Sequence, residues 1–288
     1  MEVRAIDVHV HLSDELTLKA MGQRASQMSR YFGRERQAVS IDELADQYRE
    51  RQMMAVLMNS TDVTRSATPP VPNEHIADAV KRHPDVFIGF GVVDPWQGEL
   101  AVQEVRKCAE ELGLRGIGEL NPGRQQFYPN DPRFHPLWSE AATHGMALLF
   151  HTGFMAAGAR TPGGSGYKLE YTRPIPYLDD LAADFPELNI IGAHPSWPWQ
   201  EESLAIARHK TNFYIDLSGW APKYFSESLI KNANSIIPNQ VLFGSDWPAL
   251  SVERWLEEFE ALPIKDEVRQ KIMLDNAREL LKLDHTLA

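Results

Sequence analysis

The sequence predicts a single-domain α/β fold, a (β/α)8 (TIM) barrel. Short apolar runs alternate with stretches of helical pattern along the 288 residues, and this alternation is typical of βαβ units with a parallel sheet. Eight strand-and-helix pairs fit a chain of this length as one barrel. An open doubly wound sheet is the alternative. Its first strand more often leads into a glycine-rich phosphate loop, and the first turn here, which starts at His11, contains no glycine.

Each predicted strand is short and is followed by a predicted helix. The strands cover residues 5–11, 54–59, 86–93, 115–120, 146–151, 189–193, 213–217 and 241–243. The helices cover about 40–51, 73–82, 99–112, 136–144, 174–184, 200–209, 222–233, 252–261 and 266–283. Ser40 begins the first of these helices and Glu43 follows three residues later, which is the pattern of a capping box.

Residues 13–40 interrupt this order after the first strand. The segment is polar, and residues 16–32 are compatible with helix. Because connections of this length are often functional, we predict an inserted cap or lid within one barrel domain that covers residues 1–288.

Composition excludes several classes of protein. The net charge of −11, with no run of Lys or Arg, disfavours nucleic-acid binding. The apolar runs are too short to cross a bilayer, and the N-terminus lacks a signal-peptide core. The single cysteine, Cys108, rules out internal disulfides and a cysteine-based zinc site. We expect a cytoplasmic protein that acts on a small molecule, and a homo-oligomer is compatible with that role.

Polar residues recur at the ends of the predicted strands. Two histidines lie two residues apart on strand one, and single polar residues end strands four, five, six and eight: His9, His11, Glu119, His151, His194 and Asp246. Active sites of α/β barrels lie at the carboxyl ends of the strands, so we expect these side chains to converge. Three imidazoles and a carboxylate suit a borderline divalent cation such as zinc, with manganese or iron also compatible.

The ordered set of motifs resembles the amidohydrolase superfamily, and within it the branch that includes aminocarboxymuconate-semialdehyde decarboxylase. The motifs are His9-Val-His11, His151-Thr-Gly, Gly192-Ala-His194-Pro, Tyr214-Ile-Asp-Leu-Ser-Gly219 and Phe243-Gly-Ser-Asp246-Trp-Pro. The resemblance implies one divalent ion held by His9, His11, His151 and Asp246, with His194 as acid/base. Many relatives carry a bridging lysine on strand four. This chain has Glu119 there, which favours one ion and leaves Glu119 as a ligand, an orienting group or a substrate contact.

The resemblance implies two reactions, and a third reading is also open. The first expectation is hydrolysis, in which Asp246 or His194 takes a proton from metal-activated water. The alternative is non-oxidative decarboxylation of an aromatic or unsaturated acid, with His194 or Asp246 delivering a proton to carbon. The third is an inactive barrel that only binds ligands.

Candidate substrate contacts are aromatic and basic. Trp197 and Trp247 follow His194 and Asp246 closely, which suggests a planar or hydrophobic substrate. Arg173, at the end of the long loop after strand five, is the best basic candidate, because Pro174 would fix it at a helix start.

Overall fold

The computed structural model describes residues 2–33 and 35–283. Eight parallel strands follow one another in chain order around one sheet. They are β1 (Ala5–His11), β2 (Met53–Met58), β3 (Phe87–Gly91), β4 (Gly116–Leu120), β5 (Ala147–His151), β6 (Ile190–Ala193), β7 (Phe213–Asp216) and β8 (Val241–Leu242). The barrel prediction is confirmed, and each predicted strand agrees with the structure to within two residues.

Backbone hydrogen bonds between the first strand and the end of the last strand nearly close the barrel. Val8 N donates to Phe243 O at 2.9 Å, and Asp246 N donates to His9 O at 2.9 Å. The second of these bonds lies beyond the end of β8, so the turn after β8 runs beside the carboxyl end of β1.

Helices surround the sheet and alternate with its strands. They are α1 (Glu15–Met21), α2 (Gln23–Phe32), α3 (Ile41–Glu50), α4 (Val63–Ser66), α5 (Asn73–Arg82), α6 (Glu99–Glu110), α7 (Pro122–Gln125), α8 (His135–Thr143), α9 (Tyr177–Asp184), α10 (Gln200–His209), α11 (Glu227–Ala233), α12 (Val252–Glu260), α13 (Asp266–Gln270) and α14 (Asn276–Leu280). A π-helical turn, Lys271–Asp275, links the last two. Within the described ranges, no helix has both the length and the hydropathy that a membrane span requires.

Local sequence signals explain how the helices begin. The predicted capping box is present at α3, where Ser40 Oγ accepts from Glu43 N and the Glu43 carboxylate accepts from Ser40 N. In the predicted insertion, Asp14 caps α1 by accepting from Thr17 N. The Asp14 carboxylate also lies 2.5 Å from Nε2 of His75 on α5, which ties the insertion to the barrel.

An irregularity in β1 sets which way its polar side chains face. Its pairing with β2 shifts register between Asp7 and Val10. Such a bulge changes the face on which the following side chains lie. The Asp7 carboxylate accepts from Tyr48 of α3 at 2.7 Å and from Ser245 Oγ at 2.5 Å. Simple strand alternation, which would place Asp7 beside His9, is therefore wrong for Asp7.

Candidate metal centre

Six predicted residues converge at the carboxyl ends of the strands: His9 and His11 of β1, Glu119 of β4, His151 of β5, and His194 and Asp246 from the turns after β6 and β8. Ligand atoms of His9, His11 and Glu119 all lie within 4.8 Å of one another, and so do those of Glu119, His151 and His194. Glu119 belongs to both groups and connects the two halves of the centre.

The distances show one compact cluster. His9 Nε2 lies 3.2 Å from His11 Nε2. His11 Nε2 lies 3.5 Å from both Glu119 Oε2 and Asp246 Oδ1. On the other side, His151 Nδ1 lies 2.6 Å from Glu119 Oε1 and 3.1 Å from His194 Nε2.

Asp216 of β7 is a residue of the centre that sequence reasoning missed. Its Oδ2 lies 3.0 Å from Nδ1 of His9, and its Oδ1 accepts from the backbone N of Ser218 at 2.8 Å. Because His9 donates its Nδ1 proton to Asp216, Nε2 is the nitrogen that can release its proton and bind a cation. The signal was available, because Asp216 lies in the run Tyr214–Gly219 at the end of a predicted strand.

Burial and neighbouring charges set the protonation of the cluster. Burial lowers the pKa of His9, but Asp216 and the other carboxylates outweigh it and raise that pKa to about 10. Burial lowers the pKa values of His11 and His194 to about 3, so both rings are neutral and can act as donors to a cation. Burial raises the pKa of Asp246 to about 7.

The backbone after two strands is shaped to present these side chains. His194 and Asp246 have φ values of 72° and 61°, in the left-handed region that non-glycine residues rarely adopt. At Gly219, φ is 71° and a Cβ would lie 2.6 Å from His194 Nδ1. Only glycine fits there without displacing the His194 ring.

A divalent cation fits the residues present. Imidazole nitrogens and carboxylate oxygens are suitable ligands for zinc, manganese and iron. Two imidazole nitrogens, those of His9 and His11, face each other at 3.2 Å with carboxylates on either side. His9, whose pKa is about 10, can donate its Nε2 proton to the neutral His11 ring. A bound cation would take the place of that proton, and the carboxylates of Glu119 and Asp246 would offset its charge.

The cluster opens into a cavity of about 870 Å³. Its wall includes side chains of α1 and α2 from the predicted insertion. Although the chain carries a net charge of −11, the cavity is lined by more basic than acidic side chains: Arg24, Arg36, Arg124, Arg160 and Arg254 against Asp62, Glu119 and Asp246. Such a lining favours an anionic ligand.

The structure separates the predicted substrate contacts. Trp197 lines the cavity and is 54% exposed. Trp247 instead lies partly buried against the hydrophobic core. Arg173 forms an ion pair with Glu202 of α10 at 2.6 Å and is not among the residues that line the cavity. The sequence predicted Arg173 at a helix start, but α9 begins only at Tyr177, and Arg173 follows a 3-10 turn, Leu169–Thr172.

Comparison with known proteins gives the same family as the motifs. The chain is 25% identical over 248 residues to gamma-resorcylate decarboxylase of Rhizobium radiobacter, covering 74% of this chain and 75% of that protein. It is 34% identical over 244 residues to 2-amino-3-carboxymuconate-6-semialdehyde decarboxylase of Dictyostelium discoideum, covering 74% and 66%.

A solved structure shares the fold. It is a dihydroxybenzoic acid decarboxylase from Polaromonas sp. JS666 with bound manganese and the inhibitor 2-nitroresorcinol. It matches with a TM-score of 0.69 at 21% identity, over 98% of this chain and 97% of the other. The sequence model of the amidohydrolase family matches residues 6–283 of this chain. The chain therefore belongs to the amidohydrolase family, as its strand-end motifs predicted.

Proposed function

We propose that this protein is a metal-dependent decarboxylase of aromatic or unsaturated carboxylic acids. The observation that carries the proposal is a buried His/carboxylate cluster at one end of a cavity whose lining bears five arginines and three carboxylates. The decarboxylases among its relatives support this reaction, which the sequence offered as the alternative, over hydrolysis, which the sequence favoured.

The residues that would hold the ion are His9, His11, His151 and Asp246, with Glu119 close enough to add a fifth donor. When bound, a divalent cation supplies positive charge that orients the substrate through its carboxylate and through an oxygen substituent on the adjacent carbon. Manganese in the Polaromonas relative supports a divalent ion here, and zinc and iron suit the same donors.

His194 and Asp246 are the acid/base groups in this proposal, with His194 as a proton acceptor and Asp246 as the proton donor. His194 Nδ1 lies 3.1 Å from the carbonyl oxygen of Ser218 and donates to it, so Nε2 faces the cluster as an acceptor. Asp246 is then the group that delivers a proton to the ring carbon bearing the carboxylate. The bond from that carbon to the carboxylate carbon breaks, its electron pair stays with the ring, and CO2 leaves.

Residues 13–40 are proposed to cap this site. α1 and α2 place Met21, Arg24 and Tyr31 on the cavity wall. A cap that excludes water favours protonation at carbon over attack by water on a carbonyl.

Isotope labelling tests the reaction. The protein is loaded with Mn²⁺ or Zn²⁺ and incubated with hydroxybenzoic acids in D2O, and CO2 and the aromatic product are measured by mass spectrometry. We expect CO2 release and one deuterium at the carbon that lost the carboxylate. A parallel set of esters and amides in H2¹⁸O tests hydrolysis, and ¹⁸O in a product acid without any CO2 release would overturn the proposal. Turnover of neither set, with the metal retained, would favour the binding-only reading.

A further inference from the structure

Four aromatic side chains form a continuous arc on the cavity wall. Tyr31 of α2 lies 6.0 Å from Phe154, Phe154 lies 6.1 Å from Trp197, and Trp197 lies 6.0 Å from Trp220, measured between ring centroids. All four line the cavity. The arc joins the predicted insertion to the loops after β5, β6 and β7.

The chain places this arc directly beside the candidate metal centre. Phe154 follows His151 by three residues, and its carbonyl oxygen lies 3.2 Å from His151 Nε2. Trp197 follows His194 by three residues. Trp220 follows Gly219, which packs against the His194 ring. A ligand held at the centre can therefore reach the arc without leaving the cavity.

Backbone contacts hold the loop after β5 against the loop after β6. Phe154 N donates to the Trp197 carbonyl oxygen at 2.7 Å. At the preceding Gly153, φ is 76° and a Cβ would lie 2.6 Å from the backbone of Ser196 and Trp197. Only glycine lets the loops approach this closely. The pairing of Phe154 with Trp197 is thus a fixed feature and not a chance contact of surface side chains.

The cavity is far larger than one aromatic ring requires. A cavity of about 150 Å³ is enough to bind benzene in another protein, whereas this one measures about 870 Å³. Met21, Met28 and Met155 also line it, and methionine adapts its shape to irregular apolar ligands. A single-ring acid held at the centre leaves the arc exposed to water, which is unfavourable for side chains as large as Phe154 and Trp197.

We propose that the arc binds a second, apolar ring of the substrate, so that the preferred substrate is a two-ring aromatic acid. This rests on the proposed decarboxylase function: the carboxylate-bearing ring lies at the centre while the distal ring stacks on Phe154 and Trp197. Arg160, whose guanidinium carbon lies 5.6 Å from the Tyr31 ring centroid, covers the end of the arc formed by that ring.

A matched substrate pair tests the proposal. CO2 release is compared for 2-hydroxybenzoate and for 2-hydroxybenzoates bearing a phenyl group at carbon 4 or carbon 5. We expect kcat/KM on the order of tenfold higher for at least one two-ring acid, from the added aromatic contact. Trp197→Ala and Phe154→Ala should abolish this preference, measured as the ratio of the two-ring to the one-ring kcat/KM within each variant.

Trp96→Ala is the control, because Trp96 is a partly exposed tryptophan outside the cavity lining; it should keep the two-ring preference. Equal or better use of the one-ring acid, or a preference unchanged in both variants, would overturn the inference. So would light scattering that shows a dimer dissociating in Trp197→Ala, because the arc would then contact a second copy of the chain.

A binding measurement distinguishes failure of this inference from failure of the proposed decarboxylation. Quenching of tryptophan fluorescence by biphenyl-3-carboxylate is measured for the wild type and for Trp197→Ala. If no acid is decarboxylated but this probe binds at least about tenfold more weakly to the variant, the proposed reaction fails and the arc remains a site for a two-ring acid. If the probe binds both proteins equally, the arc is not that site.

Discussion

Asp216 Oδ2 lies 3.0 Å from Nδ1 of His9, and both side chains are fully buried. A carboxylate that holds the outer nitrogen of a metal-binding imidazole fixes its tautomer and raises its basicity. Asp216 also accepts from the backbone N of Ser218, next to the His194 contact. One side chain therefore positions two members of the centre.

Asp216→Asn should weaken metal binding by about 10- to 100-fold. Loss of a group that accepts a hydrogen bond from the outer nitrogen of a metal-binding histidine typically has an effect of this size. Chelator competition measures the affinity, and circular dichroism checks the fold. Asp94→Asn is the control, since Asp94 is equally buried but caps the short helical turn that begins at Pro95. Unchanged affinity in Asp216→Asn would show that His9 does not depend on this contact.

Substitution can distinguish a metal ligand, His11, from an acid/base group, His194. His11→Ala should lose the ion, as measured by elemental analysis, because His11 Nε2 lies within 3.5 Å of His9, Glu119 and Asp246. His194→Ala should retain it while kcat falls by about 10²- to 10⁴-fold, the usual contribution of a general acid or base. Loss of the ion in His194→Ala would instead make His194 a ligand.

The buried Asp7 carboxylate should be important for stability more than for chemistry. It accepts from Tyr48 and from both Ser245 Oγ and Ser245 N. Tyr48→Phe leaves one acceptor without its donor, so the free energy of unfolding should fall by about 1–3 kcal/mol in urea denaturation. Tyr224→Phe, at an exposed tyrosine, should change it little. An equal effect of the two variants would argue against the Asp7 contact.

The single thiol provides a test of core packing. Cys108 is fully buried in α6, and burial raises its pKa to about 12. The native protein should therefore react with DTNB only very slowly at pH 8, and should react at once when unfolded. Fast labelling of the native protein would show that α6 opens readily.

The same thiol makes stability depend on pH in a defined direction. Between about pH 9 and 12 the unfolded chain releases a proton that the folded chain keeps. The free energy of unfolding should therefore fall as pH rises through this window. Cys108→Ala should remove this part of the slope, so identical slopes in the variant and the wild type would contradict the assignment.

Sequence pattern predicted the barrel and the meeting of six polar residues because both follow from local order. Continuous apolar runs mark buried parallel strands, and the residue after each run lies at the same end of the barrel. His151, predicted at the end of strand five, ends β5 in the structure.

The remaining errors come from contacts that local pattern does not encode. Arg173 has the right charge in the right loop but pairs with Glu202 of another helix. Simple alternation along β1 would put Asp7 on the same face as His9, but the register shift in β1 turns it toward Tyr48. Asp216 was passed over because its partner, His9, is at the opposite end of the chain.

The hydrogen bond from Asp246 N to His9 O joins the two ends of the sheet. During synthesis, the ribosome releases His9 and His11 long before it releases Asp246. A nascent chain can therefore display a pair of histidines but cannot complete the donor set until the last strand docks. At the proposed metal site, ion binding would therefore follow completion of the barrel, and a chain truncated before β8 should bind the metal poorly.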